Sequence, residues 1–239
     1  MNTYDAYSTA VELLSPELPR RLLHTKGVAE TAERLARVLV PRPVNDIITA
    51  AWLHDIGYAP GLVDTGFHPV DGARYARAAG FSENVVSLIA HHTGALIEAD
   101  ERGLSDRLGE YPVPPDAVEL AILSCADLCT GPDGTPVDPG ERIAEVLQRY
   151  PATDPVHRAL ARSGPALVDQ ARLVLAAAET AHCQRPRLDV PSISSSSALN
   201  RPEARSQPNP TSVTEGLPDD RNSDLRAVLA AVVAAATNR

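Results

Sequence analysis

The sequence predicts an all-α domain, and three observations carry that expectation. Apolar residues recur at spacings of three and four along residues 1–184. No segment alternates convincingly at period two, and no internal repeat is visible. Aromatic residues make up only 4% of a chain that is 44% hydrophobic. A core of Ala, Leu, Val and Ile with so few rings favours closely packed helices. At 239 residues the chain suffices for one substantial domain and a further segment.

The helices follow in order. A short one is predicted over Tyr4–Leu14. Ser15-Pro16 reads as a cap and a helix-starting proline, opening a helix that runs to Val40, where Pro41 and Pro43 stop it. Its stripe is Val28, Ala32, Leu35, Ala36 and Leu39, and His24 lies one turn before it. Asp46–Trp52 forms the next helix; Ile48, Ala51, Trp52 and Asp55 share its inward stripe, and Ala51-Trp52-Leu53 leads into His54-Asp55-Ile56-Gly57. After a loop from Ala59 to Phe67, His68 opens a helix closed by Gly80, with His68 in line with Gly72, Tyr75, Ala76 and Ala79. Ser82 caps a helix with the stripe Val85, Leu88, Ile89 and His92, and His91 lies beside that stripe. Residues from Glu98 to Val113 are polar and Pro/Gly-punctuated, a loop or a short helix. Pro114-Pro115 starts an apolar helix on which Ala117, Leu120 or Ala121, Leu123, Ser124 and Asp127 face inward, with no basic residue from Val118 to Thr130. Helices over Pro139–Arg149, Asp154–Ala161 and Pro165–His182 complete the domain; His157 and His182 read as surface residues. Residues 185–223, rich in Pro, Ser, Asn and Asp, read as a disordered linker. Residues 224–239 read as a short terminal helix or a frayed tail.

Net charge of -9 and a pI near 5.2 give no basic footprint for nucleic acid or anionic lipid. Lys26 is the only lysine among 22 basic residues, a bias of composition rather than of mechanism. The three cysteines (Cys125, Cys129 and Cys183) form no even framework. Cys125 and Cys129 read as buried thiols of a reducing compartment. The N-terminus shows no secretory signal, and the longest apolar run, Val228 to Ala236, is far short of the roughly 20 residues of a membrane span. The expectation is a soluble cytoplasmic protein of open oligomeric state.

His24, His54-Asp55 and Asp127 place polar groups at or beside inward positions of three helices. An ionised carboxylate there is costly unless a cation pairs with it. One cation bound by all four residues removes the anomaly. Two imidazoles and two carboxylates suit a divalent ion such as Mn, Fe, Zn, Ni or Mg, with coordination positions left for water and a substrate oxygen.

The order His, His-Asp, Asp over residues 15–150 resembles the HD superfamily of metal-dependent phosphohydrolases. The resemblance implies a helical bundle around the metal, hydrolysis of a phosphoester or phosphoanhydride in a small phosphorylated substrate, and His24, His54, Asp55 and Asp127 as ligands, with His54 and Asp55 at the catalytic centre. Phe67-His68-Pro69-Val70-Asp71-Gly72-Ala73 and Ile89-Ala90-His91-His92-Thr93-Gly94 resemble regions of two-metal members such as symmetrical diadenosine tetraphosphate hydrolases. On that likeness Asp55 bridges two ions, and His68 with His91 or His92 holds the second; stripe position favours His92. Many relatives carry a lysine where this chain has Tyr58, so a phosphate-binding cation is missing there or supplied elsewhere. The glycine-tyrosine-proline signature of cyclic di-GMP phosphodiesterases is absent. Arg142 is a weaker candidate for phosphate contact. Two rival readings are a di-iron oxygenase of the same superfamily and a non-catalytic ligand-binding module.

Overall fold

A computed structural model describes residues 3–183, the side chain of Tyr4 excepted; the predicted linker and terminal helix lie outside the described residues. Within them the regular structure is helical: α1 (Thr3–Leu14), α2 (Pro19–Leu39), α3 (Asn45–Leu53), a 3-10 turn (Ile56–Tyr58), α4 (His68–Ala78), α5 (Glu83–His91), α6 (Ala95–Arg102), α7 (Ser105–Leu108), α8 (Ala117–Leu128), α9 (Pro139–Arg149) and α10 (Pro155–Cys183). A lone bridge, Thr130 to Pro136, ties the turn after α8.

The amphipathic stripes decide the packing. The stripe of α2 lies against α3 and α8, and α3 packs on α5. Val28, Leu35 and Leu39 are buried on α2, each large side chain contributing about 1.5–3 kcal/mol by leaving water. Ala50, Ala51, Ala90, Ala121 and Ala126 are fully buried, and these small side chains let the helix axes approach. α1 covers α3, while α10 lies across α8, α6 and α9.

Several boundaries depart from the sequence reading, each for a local reason. α2 begins at Pro19, not Pro16. A helix opened at Pro16 would need Leu18 in the helical region immediately before Pro19, where proline's ring disfavours it. Residues 15–18 instead form a turn after α1, with the Leu18 N–H on the Leu14 carbonyl at 2.8 Å. α8 begins at Ala117, capped by the Asp116 carboxylate on the Val118 N–H at 2.9 Å. The two helices predicted around residue 160 are one, and Pro165 lies inside it. The Ala161 carbonyl that loses its partner belongs to a residue on the exposed side with Pro165, where the lost bond costs least. The polar stretch after Glu98 contains α6 and α7. Trp52 is only partly buried and meets Tyr7 of α1 edge-on, with ring centroids 5.0 Å apart.

Gly27 decides how closely α2 can approach the turn after α8. A Cβ there would lie 2.4 Å from the Gly134 carbonyl oxygen and 2.8 Å from Thr130 Cγ2. Alanine has the better helix propensity, but the obstacle is backbone. Gly27→Ala is therefore expected to destabilise the fold by about 1–3 kcal/mol, read as a lower midpoint of urea unfolding.

Candidate metal centre

Each imidazole of the centre is aimed by its own backbone. α3 ends at Leu53, and His54 follows at its C-cap. There the His54 Nδ1–H donates to the Ala51 carbonyl at 2.8 Å, one of the carbonyls that a helix end leaves without a partner. His92 repeats this at the end of α5, its Nδ1–H on the Ile89 carbonyl at 2.7 Å. His24, within α2, donates from Nδ1 to the Gly131 carbonyl at 3.1 Å, across the close approach that Gly27 permits. With Nδ1 so engaged, each of the three rings turns its Nε2 towards the site. His68 is the first residue of α4. That helix start sits against Gly57, where a Cβ would fall 2.1 Å from the His68 carbonyl oxygen.

Two groups of potential ligand atoms result, each with its members within 4.8 Å of one another: His24, His54 and Asp127, and Asp55, His68 and His92. Asp55 connects them. Its Oδ2 lies 3.6 Å from His54 Nε2 and 3.8 Å from His24 Nε2, while its Oδ1 lies 3.5 Å from His68 Nε2. His54 Nε2 is buried and has no hydrogen-bond partner among the described residues. His24 Nε2 is 3.0 Å from Asp127 Oδ1, although its Nδ1 already faces a carbonyl, so both ring nitrogens meet acceptors. His68 Nε2 and His92 Nε2 face each other at 3.2 Å. Orphaned lone pairs and opposed acceptors are the surroundings a cation satisfies, and the nitrogen–oxygen donor set fits a divalent transition ion.

For His54 and His68 the electrostatics agree. Burial pushes His54 below the usual imidazole range against the pull of Asp55 and Asp127. It pushes His68 well below that range against Asp55. Both rings are therefore neutral, as ligands must be. Burial opposes the charge on Asp55 as well, but Arg21 and the imidazoles hold its carboxyl well below the usual range. The His24 hydrogen bond does the same for Asp127, again against burial. His24 is raised: burial works against its charge, and the hydrogen bond with Asp127 outweighs it.

The other sequence candidates lie elsewhere. His91 turns away from the centre and meets the Tyr111 carbonyl through Nε2 at 3.0 Å. Of the two adjacent histidines, it is His92 that the fold brings together with Asp55 and His68. Arg142 pairs with Glu145 on its own helix. His157 is tied through Nδ1 to the Leu147 and Tyr150 carbonyls, at 3.0 and 2.9 Å, at the corner between α9 and α10. His182 is exposed. Cys125 and Cys129 are buried and unbridged, and Cys183 is exposed.

The residue that sequence reasoning missed is Arg21. Its Nη1 donates to Asp55 Oδ2 at 2.5 Å, and its guanidinium lies 3.6 Å above the Tyr58 ring. Tyr58 in turn stacks on His68 at 4.1 Å between centroids, with 16° between planes. The available signal was spacing: Arg21 precedes His24 by three residues, which on a helix is the same face.

Residues 21–131 match the family described as the HD domain. Two relatives are similar over much the same length. One is a tRNA (cytidine(56)-2'-O)-methyltransferase of Thermoplasma volcanium, 34% identical over 106 residues, or 44% of this chain and 30% of that protein. The other is a ribonuclease Y of Salinispora arenicola, 32% identical over 113 residues, or 47% of this chain and 16% of that protein. The chain thus spans less than a third of either relative. No solved structure matches it.

The metal reading has a direct test at Asp127. Asp127→Ala is expected to lose the ion of the His24 and His54 group, measured by elemental analysis. Its helical circular dichroism should persist, because alanine is the better helix former. Unchanged metal content would show that the carboxylate is not a ligand.

Proposed function

This chain carries an HD domain at residues 21–131, and we propose that it is a metal-dependent phosphohydrolase acting on a nucleotide or another small phosphorylated molecule. The observation that carries the proposal is the pair of donor groups sharing Asp55, with a buried, unpartnered His54 Nε2 at their centre. In this reading His24, His54, Asp127 and Asp55 would hold one ion, and Asp55, His68 and His92 would hold a second. Bound divalent ions supply Lewis acidity towards phosphoryl oxygens and lower the pKa of water.

The protein's own residues do the rest. Asp55 and Asp127 balance the positive charge of the centre. The carbonyls of Gly131, Ala51 and Ile89 hold three imidazoles in the ligand tautomer. Arg21, its side chain 27% exposed, supplies the phosphate-binding cation. Tyr58 stands where many members of the superfamily carry a lysine, and the Arg21 charge lies directly over its ring. A positive charge therefore returns to that place from α2, and a planar guanidinium suits a phosphate's oxygens. A net charge of -9 weighs against a long polyanion, which favours a small substrate. Among the described residues no helix is long and apolar enough to cross a membrane.

Metal analysis of anaerobically purified protein, followed by a phosphate-release screen over nucleotides, tests the proposal. Two ions per chain are expected. His68→Ala or His92→Ala should each reduce the count to one and cut turnover. A count that stays at one under metal excess would overturn the two-ion reading. Oxygen consumption without phosphate release would replace hydrolysis with the oxygenase reading. Arg21→Ala should raise KM for an anionic substrate by about 10–100-fold, the range of a hydrogen bond to a charged group, with metal content unchanged.

A further inference from the structure

Thr93, immediately after His92, combines two unfavourable features. It is the one non-glycine residue at positive φ among the described residues, at 44°. β-Branched side chains rarely adopt this region. Its hydroxyl oxygen is buried and has no hydrogen-bond partner among the described residues.

The backbone conformation itself has a clear origin. The Ala95 N–H bonds the His92 carbonyl at 3.1 Å, closing a tight turn whose two central residues, Thr93 and Gly94, both have positive φ. Turns of this kind favour glycine, asparagine and aspartate. Gly94 meets that preference, and a Cβ there would lie 3.1 Å from Leu167 of α10. Glycine or asparagine at 93 would form the same turn with less strain. The turn also fixes where Thr93 stands: its N–H donates to Ser124 Oγ at 2.9 Å, and Ser124 is buried on α8 one turn before Asp127. Thr93 is therefore held between the His92 ligand position and the helix that carries Asp127.

Threonine adds a methyl group and a hydroxyl to what glycine would supply at this position, and no described residue hydrogen-bonds the hydroxyl. We propose that the Thr93 hydroxyl is a substrate contact, hydrogen-bonding a phosphate oxygen of the molecule received at the neighbouring metal centre. This rests on the phosphohydrolase reading. Backbone strain at such a residue persists where the surrounding structure enforces it, and it concentrates at ligand-binding positions.

The test uses the full chain loaded with manganese and titrated with inorganic phosphate by calorimetry. Thr93→Val, which keeps the branched shape without the hydroxyl, should bind phosphate about 10-fold more weakly, with metal content unchanged. It should melt no lower than wild type, because the variant removes a buried, unpartnered polar group. Thr93→Ser should bind as wild type does. If Thr93→Val fails to fold, Thr93→Gly takes its place, since glycine adopts the turn freely and should show the same loss. A valine or glycine variant with wild-type phosphate affinity overturns the contact and leaves the phosphohydrolase reading intact. A parallel fall in metal content makes Thr93 a residue that positions His92, and also overturns it. A metal-loaded wild-type protein that neither binds phosphate nor releases it from any nucleotide overturns both readings together.

Discussion

Two carboxylates, Asp55 and Asp127, stand among imidazoles where the ends of helices meet, and most of the architecture follows from keeping their charge there. Asp55 is 4% exposed, and an ionised group that deep is stable only when positive charge and hydrogen bonds surround it. Arg21 from α2, His54 from the end of α3, His68 from the start of α4 and His92 from the end of α5 all approach it or its immediate neighbours. α2, α3 and α8 therefore have to cross closely, which explains the alanines at their contacts and the glycine at position 27. The family match spans this region.

Much of the fold was legible because amphipathic stripes are long-range averages over many residues. The positions of α2, α3, α5 and α8 follow from their apolar spacing, and the Ser82 cap appears as predicted, accepting from the Val85 N–H. Proline was read too literally. Pro16 and Pro165 both look like helix starts, yet one yields to a second proline three residues on and the other lies within a helix whose exposed side tolerates the lost bond. α6 and α7 lack a wide apolar stripe, so their helical state depends on packing that sequence spacing does not encode. α6 lies on α10 through contacts far apart in the chain.

The site was legible to the extent that its residues broke a pattern. Polar groups on apolar stripes drew attention to His24, Asp55 and Asp127. Arg21 broke nothing, because an arginine near a helix start is ordinarily solvated. His91 and His92 were inseparable by periodicity, since neither the end of α5 nor the rotation of the residue after it can be read from spacing. The helix stops at His91, and the next residue turns its ring back onto the last turn. The named activities of the two relatives differ from each other, so the chemistry has to be argued from the centre itself.

His54 and His92 each bond a carbonyl that the end of their own helix would otherwise leave without a partner. One contact thus finishes a helix and aims a ring nitrogen. Folding alone has therefore already restricted these rings, and an arriving ion need not gather them from a disordered state. The same rigidity limits their ability to adjust. Rings anchored to helix ends cannot stretch towards a small ion or retreat from a large one without fraying the last turn. Because affinities of nitrogen and oxygen donors follow much the same order across the first-row metals, discrimination in such a centre falls to fit. In the metal reading, the helix ends would act as a gauge for the ion as well as a frame for the fold.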